Sequence, residues 1–224
     1  MNALTISCFV NTSDEEASLA LMTYCESFFN TDTANEHCAA ALSNWGILVS
    51  SLDAEYNATT LVPKWMSIFA DFLDHSDLNV RIASGENIAL LFEAMQRSHS
   101  TTYVAEENDI LEKLRILSKE NSKKNSKRDN KDQRLVFRDI HKTVSDGEEP
   151  TMSFTLCNEL LEFVGWNKMK QVKALKECLG TGFQEHLSNN ALLRPLLDLP
   201  EIDEGMEHNR REMSANEKVS NYLI

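Results

Sequence analysis

Between Leu61 and Met95 the chain reads LVPKWMSIFADFLDHSDLNVRIASGENIALLFEAM, two apolar stripes at helical spacing divided by a short polar turn. Leu61, Trp65, Ile68, Phe69 and Phe72 make the first stripe, and Val80, Ala83, Ile88, Leu91 and Met95 make the second. Pro63 falls in a first helical turn, where its missing N–H is tolerated, and Asp77 stands where an N-cap is needed after His75 and Ser76. The stretch is a helical hairpin. One helix cannot bury either stripe, so the two must face each other and a neighbour.

That neighbour lies upstream. Ala17, Leu21, Tyr24 and Phe28 form one stripe, and Cys38, Leu42, Trp45 and Val49 form the next. A shift of 44 residues aligns Phe28 with Phe72, Asn35 with Asn79, Ala39 with Ala83 and Ile47 with Leu91. The shift falls within the roughly 40 to 47 residues of HEAT and armadillo repeats. A further helix, opened by Asn108 or Asp109 and lined by Ile110, Leu114 and Leu117, would close the stack. With only seven Gly and four Pro in 224 residues, long helices are easy to build and a turn-rich β-sandwich is difficult. The expected class is mainly α: armadillo- or HEAT-like hairpins, then a small, mostly helical C-terminal domain with a short strand.

After Leu117 no apolar residue occurs until Leu135, and the Lys, Asn, Ser and Asp between them cannot form a core. This divides the chain into a partial helical-repeat region at 1–117, a basic linker at 118–134, a small domain at 135–200 and a loose polar tail at 201–224. In the small domain Leu135, Val136, Phe137, Ile140 and Val144 resume helical spacing until Asp146 and Gly147. Thr151 to Leu156 alternates as a half-buried strand does. Leu160, Leu161, Phe163 and Trp166 follow, then a helix carrying Val172, Leu175 and Leu179 that Gly180-Thr181-Gly182 stops.

Charge singles out one segment. The formal net charge is -13, yet residues 122–142 hold eight Lys or Arg against three Asp, so this stretch carries +5 and the remainder -18. Such a run suits backbone contact with nucleic acid, a nuclear import signal or a solvated linker. No aromatic residue lies between Lys119 and Arg134, so base stacking is not expected, and any nucleic-acid contact would be salt-sensitive.

These residues carry a resemblance. The stretch SKKNSKRDNKDQRLVFRDI, followed by a strand-like segment, Trp166 and LKECLGTGFQEHLSNNALLR, resembles the C-terminal part of the interferon-related developmental regulator family. The family pairs an armadillo-type region, here shortened at its N-terminus, with a small C-terminal domain. The resemblance implies regulation by contact: transcriptional co-regulators acting through protein partners, in nucleus and cytoplasm, or ribosome binding tied to translational silence. The residues assigned to partner or RNA contact are Lys123, Lys124, Lys127, Arg128, Lys131, Arg134 and Arg138. Phe137, Asp139, Trp166, Gly180, Gly182, His186, Asn190 and Arg194 are assigned as structural residues of the motif.

No arrangement for catalysis is legible. The five Cys are widely spaced and form no CxxC pair, which fits a reducing compartment and argues against a disulfide framework or a zinc cluster. His186 near Cys178, and His37 beside Cys38, lack further groups at ligand spacing. The pairs Glu15-Glu16, Glu106-Glu107 and Glu148-Glu149 read as solvated acids at helix starts and turns. Gly180-Thr181-Gly182 follows a helix and lacks the Lys-Ser or Lys-Thr of a phosphate loop. Phe137 shares its stripe with Ile140 and Val144, so it is expected to fasten its own helix, and Trp166 is expected in a core. No cofactor, membrane partner or small-molecule substrate is expected.

Overall fold

Asp77 accepts hydrogen bonds from the backbone N–H groups of Asn79 and Val80 at 2.8 and 3.2 Å and thereby opens a 20-residue helix, as the turn before it predicts. The computed structural model describes residues 2–11, 15–30, 32–120, 127–156 and 159–200; the side chains of residues 2, 127–129 and 159 lie outside that description. The helices, in chain order, begin with α1 (Asn2–Val10), α2 (Glu15–Glu26) and α3 (Asn35–Val49). Next comes α4 (Ala54–Tyr56), which runs through a π-turn at Asn57–Leu61 into α5 (Val62–Phe72). Three further helices follow, α6 (Leu78–Arg97), α7 (Glu107–Leu117) and α8 (Lys127–Asp146). Asp53 caps α4 through Glu55 N and Tyr56 N, and Pro63 sits in the first turn of α5.

Helices α2 and α3, α5 and α6, and α7 and α8 form three successive hairpins. The second helices, α3, α6 and α8, also pack on one another, with α6 in the middle. Helix α6 is therefore buried over most of its circumference, including Ser84, Gly85 and Asn87 among the apolar residues. The polar members find partners: Ser84 donates to the Phe69 carbonyl at 2.8 Å and Asn87 to the Leu42 carbonyl at 3.0 Å. Two glycines set the spacing of this layer. A Cβ on Gly46 would lie 2.3 Å from Asn87 Oδ1, and one on Gly85 would lie 2.9 Å from Ile140 Cδ1. Trp45, Trp65, Phe69 and Phe29 join the first two hairpins by edge-to-face contacts, with Trp45 and Phe69 centroids 5.1 Å apart. Glu26 accepts from Trp45 Nε1 at 3.2 Å and from Lys64 Nζ at 2.9 Å at the rim of this cluster.

Three readings of the sequence are corrected here. The linker expected over 118–134 is helical from Lys127, because Asn130 and Gln133 bury polar side chains on the inner face of α8 before the apolar stripe begins. Gln133 Nε2 donates to Glu120 at 3.0 Å, and Glu120 pairs with Arg81 of α6 at 3.2 Å. The break expected at residue 135 is also absent: Phe137, Ile140 and Val144 belong to the core of the three hairpins. Finally, α7 begins at Glu107 instead of at an Asn108 or Asp109 cap, and Asp109 pairs with Lys113 one turn along at 2.8 Å.

Beyond Asp146, Gly147 takes φ +70° and the chain enters an antiparallel hairpin, β1 (Thr151–Leu156) and β2 (Glu159–Val164). Helix α9 (Trp166–Leu179), a 3-10 turn at Gly180–Gly182, α10 (Phe183–Asn189) and α11 (Leu193–Leu196) complete the described fold. Gly180, at φ +53°, stops α9 as its position predicts. A second core gathers Leu156, Leu161, Phe163, Val172, Leu175, Phe183 and Leu187 together with Phe9 of α1 and Ile47 of α3. The C-terminal unit thus shares its core with the first hairpin.

Candidate functional site

Helix α8 carries the basic residues, and its period sorts them. The inner positions Gln133, Phe137, Ile140 and Val144 are buried, with Phe137 and Ile140 fully so. The opposite face presents Lys131, Leu135 and Arg138 to solvent, with Arg134 half-buried beside them and Leu135 50 % exposed. Spacings of three and four residues align these side chains along one strip of the helix.

Most other cations of this acidic molecule are paired. Lys64 meets Glu26, Arg97 meets Glu93, Lys113 meets Asp74 and Asp109, Arg115 meets Glu112, and Lys168 meets Asp198. Lys142, at the far end of α8, pairs with Glu148 at 2.8 Å. Lys131, Arg134 and Arg138 have no ion-pair partner among the described residues. Lys123 and Lys124 lie outside the described residues. Lys127 and Arg128 begin α8, but their side chains lie outside the description.

Asp139 is half-buried, and burial raises its carboxyl pKa against the pull of Lys142 and Arg138. Its carbonyl accepts from Thr143 Oγ1 at 3.2 Å, one turn on. Trp166 is a core residue, but of the helical stack and not of the small C-terminal core. Its indole N–H donates to Thr143 Oγ1 at 2.8 Å, and its backbone N–H donates to the buried Glu93 carboxylate, which Arg97 neutralises. Burial nevertheless raises the Glu93 pKa. The remaining motif residues lie in the C-terminal unit. Gly180 and Gly182 form the turn after α9, Asn190 Oδ1 accepts from Leu192 N at 2.9 Å, and Arg194, 3 % exposed, donates to the Pro200 carbonyl at 2.6 Å. His186 and Cys178 are exposed. Cys8, Cys25, Cys38 and Cys178 form no disulfide among the described residues, and no group of His, Cys, Asp or Glu among them could hold a metal ion. No helix among the described residues is long and apolar enough to cross a membrane.

The sequence reading missed the polar seam that docks α9 on the stack. Lys170 Nζ lies 2.6 Å from Glu86 Oε2 and 3.3 Å from Ser43 Oγ, Lys173 reaches Glu86 Oε1 at 3.2 Å, and Gln171 donates to the Ser50 carbonyl at 2.9 Å. Burial works against the Glu86 charge, but Lys170 and Lys173 outweigh it and hold the carboxyl at about 2. One signal was available. Trp166, Lys170 and Ala174 stand four apart, which places Lys170 on the same buried face as the other two.

The profile of the Interferon-related developmental regulator family matches residues 1–145, ending one residue before α8 does. Among individual proteins, interferon-related developmental regulator 1 of Sus scrofa is 29% identical over 206 residues, spanning 87% of this chain and 46% of that protein. Interferon-related developmental regulator 2 of Mus musculus is 32% identical over 213 residues, spanning 88% of this chain and 48% of its own length. An uncharacterized Schizosaccharomyces pombe protein is 24% identical over 187 residues, spanning 65% of this chain and 41% of its own. The chain thus spans about half the length of these two curated regulators. The family profile and these relatives agree: the chain belongs to the interferon-related developmental regulator family.

Proposed function

We propose that this chain is a non-catalytic regulatory scaffold that acts by binding proteins, as a transcriptional co-regulator in nucleus and cytoplasm. The observation that carries the reading is the outer face of α8. Lys131, Arg134 and Arg138 stand around the exposed Leu135 with no ion-pair partner among the described residues, in a chain whose net charge is -13. An apolar anchor flanked by three cations, which outnumber the neighbouring Asp132 and Asp139, suits an acidic protein surface that offers one apolar pocket. The scaffold holds this face rigid, because the opposite side of α8 is locked into the stack.

A second reading is ribosome binding with repression of translation. The same three cations, continued by the basic run at 123–128, favour it, since Lys and Arg gain affinity from phosphate by releasing counterions. The acidic remainder of the chain opposes it.

The test is capture from nuclear extract by the tagged chain and by its K131E/R134E/R138E variant, with parallel sedimentation through sucrose at low and high salt. Transcriptional regulators captured by the first and lost with the second are expected. An identical set on both removes this face from the account. Salt-sensitive sedimentation with ribosomal particles, abolished by the variant and unaccompanied by captured regulators, replaces the first reading with the second.

A further inference from the structure

Apart from the basic helix, the hairpin of β1 and β2 presents backbone groups that nothing among the described residues uses. The two strands form a two-stranded sheet. Residue pairs run from Thr151 opposite Val164 to Leu156 opposite Glu159, and Gly165 N donates to the Pro150 carbonyl at 2.8 Å just before them. That bond makes Pro150 and Gly165 a hydrogen-bonded pair, and antiparallel ladders alternate. Met152, Phe154 and Leu156 therefore exchange bonds with β2. Thr151, Ser153 and Thr155 aim their N–H and C=O groups away from it.

Those three residues are exposed, and no partner for their outward backbone groups exists among the described residues. The side chains of Met152 and Phe154 turn to the core side, where Phe154 stacks on Phe163 at 5.5 Å. Natural sheets guard such edges with Lys, Pro or a bulge. Between Thr151 and Leu156 the sequence is TMSFTL, with none of these. An unguarded edge of this length is a template for another strand.

Charge selects the occupant. Residues 147–165 contain Glu148, Glu149, Glu159 and Glu162 and no Lys or Arg. Lys142 pairs with Glu148 and Arg97 approaches Glu149 at 3.6 Å, whereas Glu162 is exposed and has no ion pair among the described residues. Glu162 lies directly opposite Ser153. A strand added beside β1 runs about 4.8 Å beyond it, so a Lys or Arg on its outer face reaches over the small Ser153 toward Glu162. A second copy of this hairpin would instead bring like charges together.

We propose that the outer edge of β1 binds an extended cationic peptide segment of a partner protein by strand addition. Alternate apolar side chains of the segment continue the face of Met152 and Phe154, and the intervening Lys or Arg side chains face Glu162.

The probe is the synthetic heptapeptide Val-Lys-Val-Arg-Val-Lys-Val, capped at both ends, titrated against the full chain by fluorescence anisotropy. Two isomers, N-methylated at one or the other set of alternate residues, separate strand pairing from plain charge attraction. The expected result is that one isomer binds like the parent and the other loses about tenfold or more in affinity. S153P removes an outward N–H without touching the ladder to β2, a substitution that edge strands tolerate, and should weaken the parent peptide by a similar factor. Equal binding by both isomers, or no binding of the parent, overturns the proposal even if S153P fails to fold. A dimer of the native chain that S153P dissociates also overturns it, by giving the edge to a second copy.

Discussion

Asn87 cannot move away from a side chain placed at position 46 without giving up its bond to the Leu42 carbonyl. Gly46→Ala is therefore expected to destabilise the protein by about 1–3 kcal/mol, read as a lower urea midpoint at unchanged slope. Gly85→Ala should be milder, because the atom it meets is the end of the Ile140 side chain. A second residue-scale test concerns Glu86. Lys170→Met leaves a buried carboxylate with Lys173 alone, and breaking a buried pair in this way costs about 3–5 kcal/mol. The folded pKa of Glu86 is depressed from 4.5 to about 2. Its ion pairs therefore contribute stability that is present above pH 4.5 and lost as pH falls toward 2. Chemical denaturation across that window should show the loss in the native protein and less of it in Glu86→Gln.

Helix α8 joins the fold to the candidate surface, and its two faces should respond differently to substitution. Phe137→Ala removes a fully buried ring and is expected to cost about 3–5 kcal/mol. Leu135→Ala, at a half-exposed site, should change stability by no more than about 0.5 kcal/mol. A thermal melt distinguishes the two. The stripe of Phe137, Ile140 and Val144 was legible because apolar residues at helical spacing advertise a buried face. The first two turns of the same helix were not, since Asn130 and Gln133 are buried through polar contacts that leave no apolar period. Helix α9 repeats the lesson: Val172 and Leu175 were legible, whereas Lys170 and Gln171 reach the core only through partners more than 80 residues away. The strand over Thr151–Leu156 followed from its alternation, but its partner β2, which reads ELLEFV, places two Leu in succession and hides the period.

Taken whole, the molecule is an acidic stack whose C-terminal unit is fastened at two polar seams, Glu86 with Lys170 and Lys173, and Glu93 with Trp166. Both seams lie on α6, so the middle helix of the stack also positions the C-terminal unit. With other cations engaged in these and other internal pairs, Lys131, Arg134 and Arg138 form a strip with no ion-pair partner among the described residues. The most direct measurement places a photoactivated crosslinking amino acid at Leu135 in living cells, with the exposed Thr23 of α2 as the comparison site. Adducts with transcriptional regulators at position 135, absent at position 23, are the expected result. The same adducts at both positions, or none at 135, would contradict a partner seated on α8.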